Sequence, residues 1–355
     1  MKEFTRGAAW SSPDGRMLRA DPADQDRLPG DTWERASLPA GVRLEFTACG
    51  VRAVEVTYAA SPPSGTDSYC HAPPVFTLLA DSVEGGDARA RGGSGTVAVG
   101  TSSPQDAPAR AVGTPTPPGA RTQAAFDVPA APGSHVARIE LPYPDGDFTL
   151  HLPETLRPVG GGTLTPPTIR PRWLVYGDSI AEGWGASRPH LAWPALAGRA
   201  LGVDTVNLGY ARAARGELAS AQQLASLEAD LITVAFGTNC WSRTPHSAGL
   251  LHETTRAFLT LVRRRHPEVP LLVLSPALRP DAESTPNALG ATLSELRTAL
   301  ERAAGDAGVA LLPCGGLLEP RHLVDGVHPG DAGHRVLADA VVSALLKGQS
   351  WAASS

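Results

Sequence analysis

The chain has 355 residues, 42% of them apolar and 19% charged, which is enough for two domains with a packed core in each. Of its 31 basic residues only Lys2 and Lys347 are lysines, one near each end. That excludes a Schiff-base lysine or a phosphate-loop lysine inside a folded domain. The formal net charge is −5, and the arginines are scattered apart from Arg263–Arg265, so no nucleic-acid partner is expected.

Residues 1–15 lack the apolar stretch of a signal peptide, and no apolar run approaches the length of a membrane span. Cys49, Cys70, Cys240 and Cys314 form no CxxC pair and are too few for a disulfide scaffold. A cytoplasmic protein with no membrane partner is expected, with a single Cys49–Cys70 bridge left open.

Residues 1–158 read as an all-β accessory domain, a sandwich or jelly roll. Short β-type runs at Val42–Thr47, Val51–Tyr58, Val75–Leu79, Thr96–Val99, Gln123–Val128, His135–Leu141 and Phe148–Leu152 are separated by Gly, Pro and Asp. Thr101–Ala120 reads as a long loop, and Val159–Arg170 as an interdomain linker.

From residue 171 onward, strand and helix patterns alternate. Buried strands are expected at Trp173–Tyr176, Thr205–Leu208, Leu231–Phe236, Leu271–Leu274 and Ala310–Leu312. Helical stripes run through Leu250, Thr254, Ala257, Leu261 and Arg265, through Leu289, Leu293, Leu296, Leu300 and Ala303, and through Val336/Leu337, Ala340/Val341 and Ala344/Leu345. The Arg263–Arg265 triplet then sits in a last helical turn, where cations complement the helix dipole. Five βα units imply a parallel sheet with helices on both faces, and chemistry just beyond the carboxyl ends of its strands.

Four short blocks stand at such places. Gly177-Asp178-Ser179 follows the first strand, Asn207-Leu208-Gly209 the second and Gly237-Thr238-Asn239 the third, while Asp325-Gly326-Val327-His328 lies far downstream. Acyl transfer needs a nucleophile, a base, a carboxylate to orient the base and donors for the oxyanion. Ser179 fits the nucleophile, His328 the base and Asp325 the orienting carboxylate. The oxyanion donors would be the N–H groups of Ser179 and Gly209 and the side-chain amide of Asn239.

These blocks, in this order, resemble those of the SGNH/GDSL hydrolase family over Arg172–Leu346, with Ile180 in place of the leucine of GDSL. The resemblance implies a flavodoxin-like sheet of five parallel strands. It also implies a serine ester hydrolase acting through an acyl-enzyme on a small-molecule ester or thioester, with no cofactor and no metal. An acyltransferase passing the acyl group to an alcohol is the alternative, and a carbohydrate-binding protein with an inert catalytic domain is a third reading. The two-domain layout is similar to carbohydrate acetyl esterases with a jelly-roll domain and to a GDSL salicylyl-acyltransferase of tetracycline tailoring.

Other candidates have plainer readings. Asp178 suits a cap better than a triad carboxylate. His322 and His334 flank the downstream block and read as surface or packing histidines. His252-Glu253 opens like HExxH but has Arg256 at the second histidine position. Gly183-Trp184-Gly185 starts like GxGxxG but meets Arg188 at the third glycine position. Cys240 reads as a buried small residue. Trp184 and Trp241, each just after a block, are candidate pocket walls.

Overall fold

The computed structural model describes residues 1–11, 17–61, 76–82, 101–102, 121–127, 134–140, 149–150 and 155–347. The expected strand Thr96–Val99, nearly all of the expected loop 101–120, and Cys70 lie outside the described residues.

The N-terminal strands form two antiparallel sheets. In one, Arg43–Cys49 lies between Thr5–Arg6 and Ser134–Glu140, and Phe76–Ser82 and Thr101–Ser102 follow outward. In the other, Ala53–Ser61 is flanked by Arg121–Asp127 on one side and by Thr155–Val159 and Thr149–Leu150 on the other. Within Ala53–Ser61, Val54 and Val56 are buried while Ala53, Glu55 and Thr57 are half-buried, the period-two pattern of a strand with one face inward.

Four of the twelve residues of the expected linker are in sheet. Val159 pairs with Ala53 in the second sheet, whereas Thr163–Thr165 pairs with Thr47–Cys49 in the first. Gly160, Gly161 and Gly162, with φ of 81°, 96° and 82°, carry the chain round the corner between them. Only glycine takes three such values in a row without penalty, so the glycine run that looked like a spacer is a corner.

A short 3-10 turn, Pro22–Arg27, and helix α1, Gly30–Ala36, interrupt the expected all-β region. They pack on the following domain: Ala20, Leu28 and Ala36 share one core with Leu174, Tyr176, Leu208 and Phe236. A seven-residue helix is too short to show a helical period in sequence.

The second domain is a five-stranded parallel sheet. Its strands, Arg172–Gly177, Asp204–Gly209, Leu231–Ala235, Leu271–Leu274 and Ala310–Leu312, lie in the order second, first, third, fourth, fifth. The first strand alternates between two cores, Leu174 and Tyr176 on one face and Trp173 and Val175 on the other. Helices α4 (Leu218–Ser226), α6 (Ala248–Arg265) and α7 (Leu293–Asp306) cover the former face, and α3 (Trp193–Leu201) and α8 (Asp331–Lys347) the latter. Two short helices, α2 (Ser179–Glu182) and α5 (Asn239–Ser242), open directly off the strand ends.

Two helical stripes need correction. α6 buries Leu251, Thr255, Phe258, Leu259 and Val262, whereas Leu250 is 48% exposed, so the inward face lies one residue along from the expected one. Leu289 is 55% exposed and precedes α7, which starts at Leu293 behind the Thr292 cap, with Glu295 closing the capping box. Arg263 sits in the last turn of α6, and its guanidinium donates to the carbonyls of His266, Pro267 and Val269.

Candidate active site

Ser179 is the first residue of α2, at the carboxyl end of the first strand. Asp178 caps this helix, its carboxylate accepting the Ile180 N–H at 3.0 Å, and Gly183 ends it in a left-handed conformation. A helix this short leaves every N–H of its first turn without an intrahelical carbonyl.

His328 comes from the loop before α8, which is built around Asp325. One Asp325 oxygen accepts the Val327 N–H at 3.0 Å and the His328 N–H at 2.7 Å, and Gly326 turns through φ 83°. This tight turn folds the histidine back onto its own aspartate. His328 Nδ1 is 2.6 Å from the other Asp325 oxygen, and His328 Nε2 is 2.9 Å from Ser179 Oγ. Partial burial pushes the Asp325 carboxyl up. The His328 backbone N–H, its imidazole and the Val327 N–H outweigh that and hold it below the usual carboxylate range. The three residues thus form one hydrogen-bonded line.

Asn239 begins α5, is buried, and donates from Nδ2 to the Ala214 carbonyl at 3.4 Å. The preceding Thr238 N–H reaches the Asp178 carboxylate, joining this block to the nucleophile's turn. Gly209 is placed otherwise than expected. Its N–H donates to the Asn207 side-chain oxygen at 2.8 Å, so the donor is spent within its own strand. A Cβ at Gly209 would stand 2.3 Å from the Glu182 backbone nitrogen; the glycine is what lets this strand end touch α2. Just beyond it, Arg212 has φ 66°, the only non-glycine residue in the left-handed region among those described.

The two tryptophans diverge. Trp184 is buried with its ring centroid 5.2 Å from that of His328. Trp241 donates from Nε1 to the Thr285 carbonyl at 2.8 Å and carries the Arg279 guanidinium 4.7 Å from its ring centroid. Gly185, φ 88°, explains the second glycine beside Trp184: a Cβ there would be 2.2 Å from the Pro329 carbonyl oxygen and 3.2 Å from His328 Cβ. Gly185 thus serves the approach of the histidine loop, whereas Gly183 ends α2.

His334 is fully buried, accepts the Trp193 N–H on Nδ1 at 3.2 Å and donates from Nε2 to the Trp184 carbonyl at 3.0 Å. Burial takes its pKa down to about 4, so it is a neutral packing group. His322 Nδ1 accepts the Glu319 N–H at 3.0 Å. His252 lies between Glu253 and Asp306, and Arg256 pairs with Glu253. Burial drives the Cys240 thiol far up, away from thiolate chemistry. The residues the sequence did not single out are Arg19, Arg35 and Glu182, which meet beside the nucleophile's helix.

Residues 175–336 match the model of the GDSL-like Lipase/Acylhydrolase family. The match lies within the parallel-sheet domain and supports an ester-hydrolysing enzyme. Among curated proteins none matches the chain. Among solved structures, it is similar to the salicylyl-acyltransferase SsfX3 from a tetracycline biosynthetic pathway, with a TM-score of 0.74 and 22% identity over 95% of this chain and 92% of that one. It is also similar to a family two carbohydrate esterase from Clostridium thermocellum, solved with cellohexaose, at a TM-score of 0.60 and 12% identity over 88% and 96% of the two chains. A third similar structure is a family two carbohydrate esterase plus carbohydrate-binding domain from Corynascus thermopiles (Myceliophthora fergusii). Its TM-score is 0.61, at 15% identity over 96% and 98% of the chains. At these identities the likeness is one of fold.

Proposed function

We propose that the protein cleaves a small-molecule ester or thioester through a covalent acyl-enzyme on Ser179. The observation that carries this is the line Ser179 Oγ–His328 Nε2, His328 Nδ1–Asp325, with contacts of 2.9 and 2.6 Å. In the first half-reaction Ser179 Oγ bonds to the substrate carbonyl carbon while His328 Nε2 takes its proton. When the carbon–oxygen or carbon–sulfur bond to the leaving group breaks, His328 returns that proton to it. Asp325 keeps Nδ1 protonated and offsets the charge of the imidazolium. The oxyanion is received by the Ser179 N–H, by the Asn239 amide, and, in place of Gly209, by the loop turned through Arg212.

In the second half-reaction His328 takes a proton from water as its oxygen bonds to the acyl carbon; when the carbon–Ser179 Oγ bond breaks, His328 returns that proton to Oγ and the acid leaves. An alcohol in place of water gives acyl transfer, a reading favoured by the likeness over nearly the whole chain to a salicylyl-acyltransferase. The assembled line of side chains weighs against an inert catalytic domain. A cytoplasmic setting fits the free thiols of Cys49, Cys240 and Cys314.

Ser179→Ala tests the reading. Purified variant is expected to lose turnover of an aryl acetate to the background rate, and substantial residual turnover would contradict it. Supplying candidate alcohols with a thioester donor separates the outcomes: ester formed faster than free acid marks transfer.

A further inference from the structure

Glu182, the last residue of α2, is 1% exposed, and so its charge needs partners to offset lost hydration. Both of its cationic partners come from the N-terminal region. Arg35, at the end of α1, reaches both carboxylate oxygens, through Nε at 3.3 Å and through Nη2. Arg19, with no exposure at all, stands 3.7 Å away. Burial works against the Glu182 carboxylate, but Arg35 and Arg19 outweigh it and hold the group below its usual range.

This carboxylate also binds catalytic-domain backbone. It accepts the Ala211 N–H at 2.7 Å, in the loop that follows the second strand. Arg19 grips the start of the same loop, donating to the Gly209 carbonyl and lying 5.3 Å from the Tyr210 ring centroid, while the Tyr210 hydroxyl donates to the Arg19 carbonyl at 2.6 Å. The guanidinium of Arg35 lies 5.6 Å from the Trp184 ring centroid, and the Trp184 ring in turn packs on His328. Nucleophile helix, loop and base are therefore all braced on one ion cluster whose cations belong to the N-terminal region.

We infer that Arg35 is a positioning residue of this reaction centre, acting through Glu182 and Trp184 on Ser179 and His328, so that segment 19–36 is an integral part of the active site rather than of an appended module. The inference rests on the serine reading above. Without Arg35, the cation left beside Glu182 is the more distant Arg19, with the neutral Ala211 and Trp184 N–H donors, and a buried carboxylate left short of charge draws water or moves. Either response shifts α2 and loosens the Trp184 packing on His328. Displacements of an ångström at reacting groups cost rates on the order of a hundredfold.

The test uses the full chain and a fluorophosphonate, which labels an activated serine without needing the natural substrate. Arg35→Ala, folded by circular dichroism, is expected to label roughly ten- to a hundredfold more slowly than wild type. Its kcat on an aryl acetate should fall by the same factor with KM within about twofold. A contact that only docks the N-terminal region would lower the unfolding midpoint and leave both rates alone, and that result overturns the inference. Should Arg35→Ala not fold, Arg35→Gln is judged by the same rates. Wild type that fails to label at all sinks the serine reading itself, which is a different outcome from wild type and variant labelling alike.

Discussion

Ser179 opens α2 at the end of the first strand, where the Asp178 carboxylate takes the Ile180 and Ala181 N–H groups, and its hydroxyl meets an imidazole held by Asp325. In the proposed reaction the buried Asn239 amide is a donor that costs no reorganisation as charge develops on the substrate oxygen. Asn239→Ala is accordingly expected to lower kcat by about 10²–10³ with little change in KM, measured on an aryl acetate. An unchanged kcat would remove that amide from the oxyanion site. Asp325 and His328 were legible because they lie three residues apart in one turn. The role of Gly209 was misread because sequence tells that a glycine is needed, not why: here it is close approach to Glu182 rather than an open N–H. Arg212 carries no sequence signal at all, since a left-handed arginine looks like any other.

Among the elements, α2 is the most informative. It has only four residues, set between the Asp178 cap and the left-handed Gly183, and it survives through these caps and its packing rather than through helix propensity. Burial pushes the Asp178 carboxyl up to about 6, against the Ile180, Ala181 and Thr238 N–H groups that favour the anion. The folded state therefore holds this proton more tightly than the unfolded chain does. The group's contribution to stability falls as pH rises from about 4 to about 6 and stays low above that. Asparagine can still cap α2 but does not titrate. Asp178→Asn is expected to gain stability relative to wild type between pH 4 and pH 7, followed by urea unfolding at each pH; a constant difference between the two proteins would contradict the assignment.

Strands were more legible than helices for a related reason. A buried parallel strand such as Leu271–Leu274 is an unbroken apolar run. The faces of α6 are harder to tell apart, because Leu250 and Leu251 are equally apolar in sequence and only packing selects Leu251.

For the whole molecule, the two-part pattern of short strands followed by βα units was visible, and the order of the parallel strands agrees with the expected fold. What the sequence hid is the division of labour. Residues 19–36 belong by position to the N-terminal region but complete the core and the charge balance of the catalytic domain. Such long-range pairings, Arg35 with Glu182 across 147 positions, leave no local pattern. Among the described residues no helix is long and apolar enough to cross a bilayer. The central claim is that Ser179 carries the acyl group during turnover, and the direct measurement is mass spectrometry of protein acid-quenched while turning over an aryl acetate. The account predicts one acetyl group, mapped to Ser179 and absent from Ser179→Ala; acetyl on another residue, or turnover with none on Ser179, would contradict it.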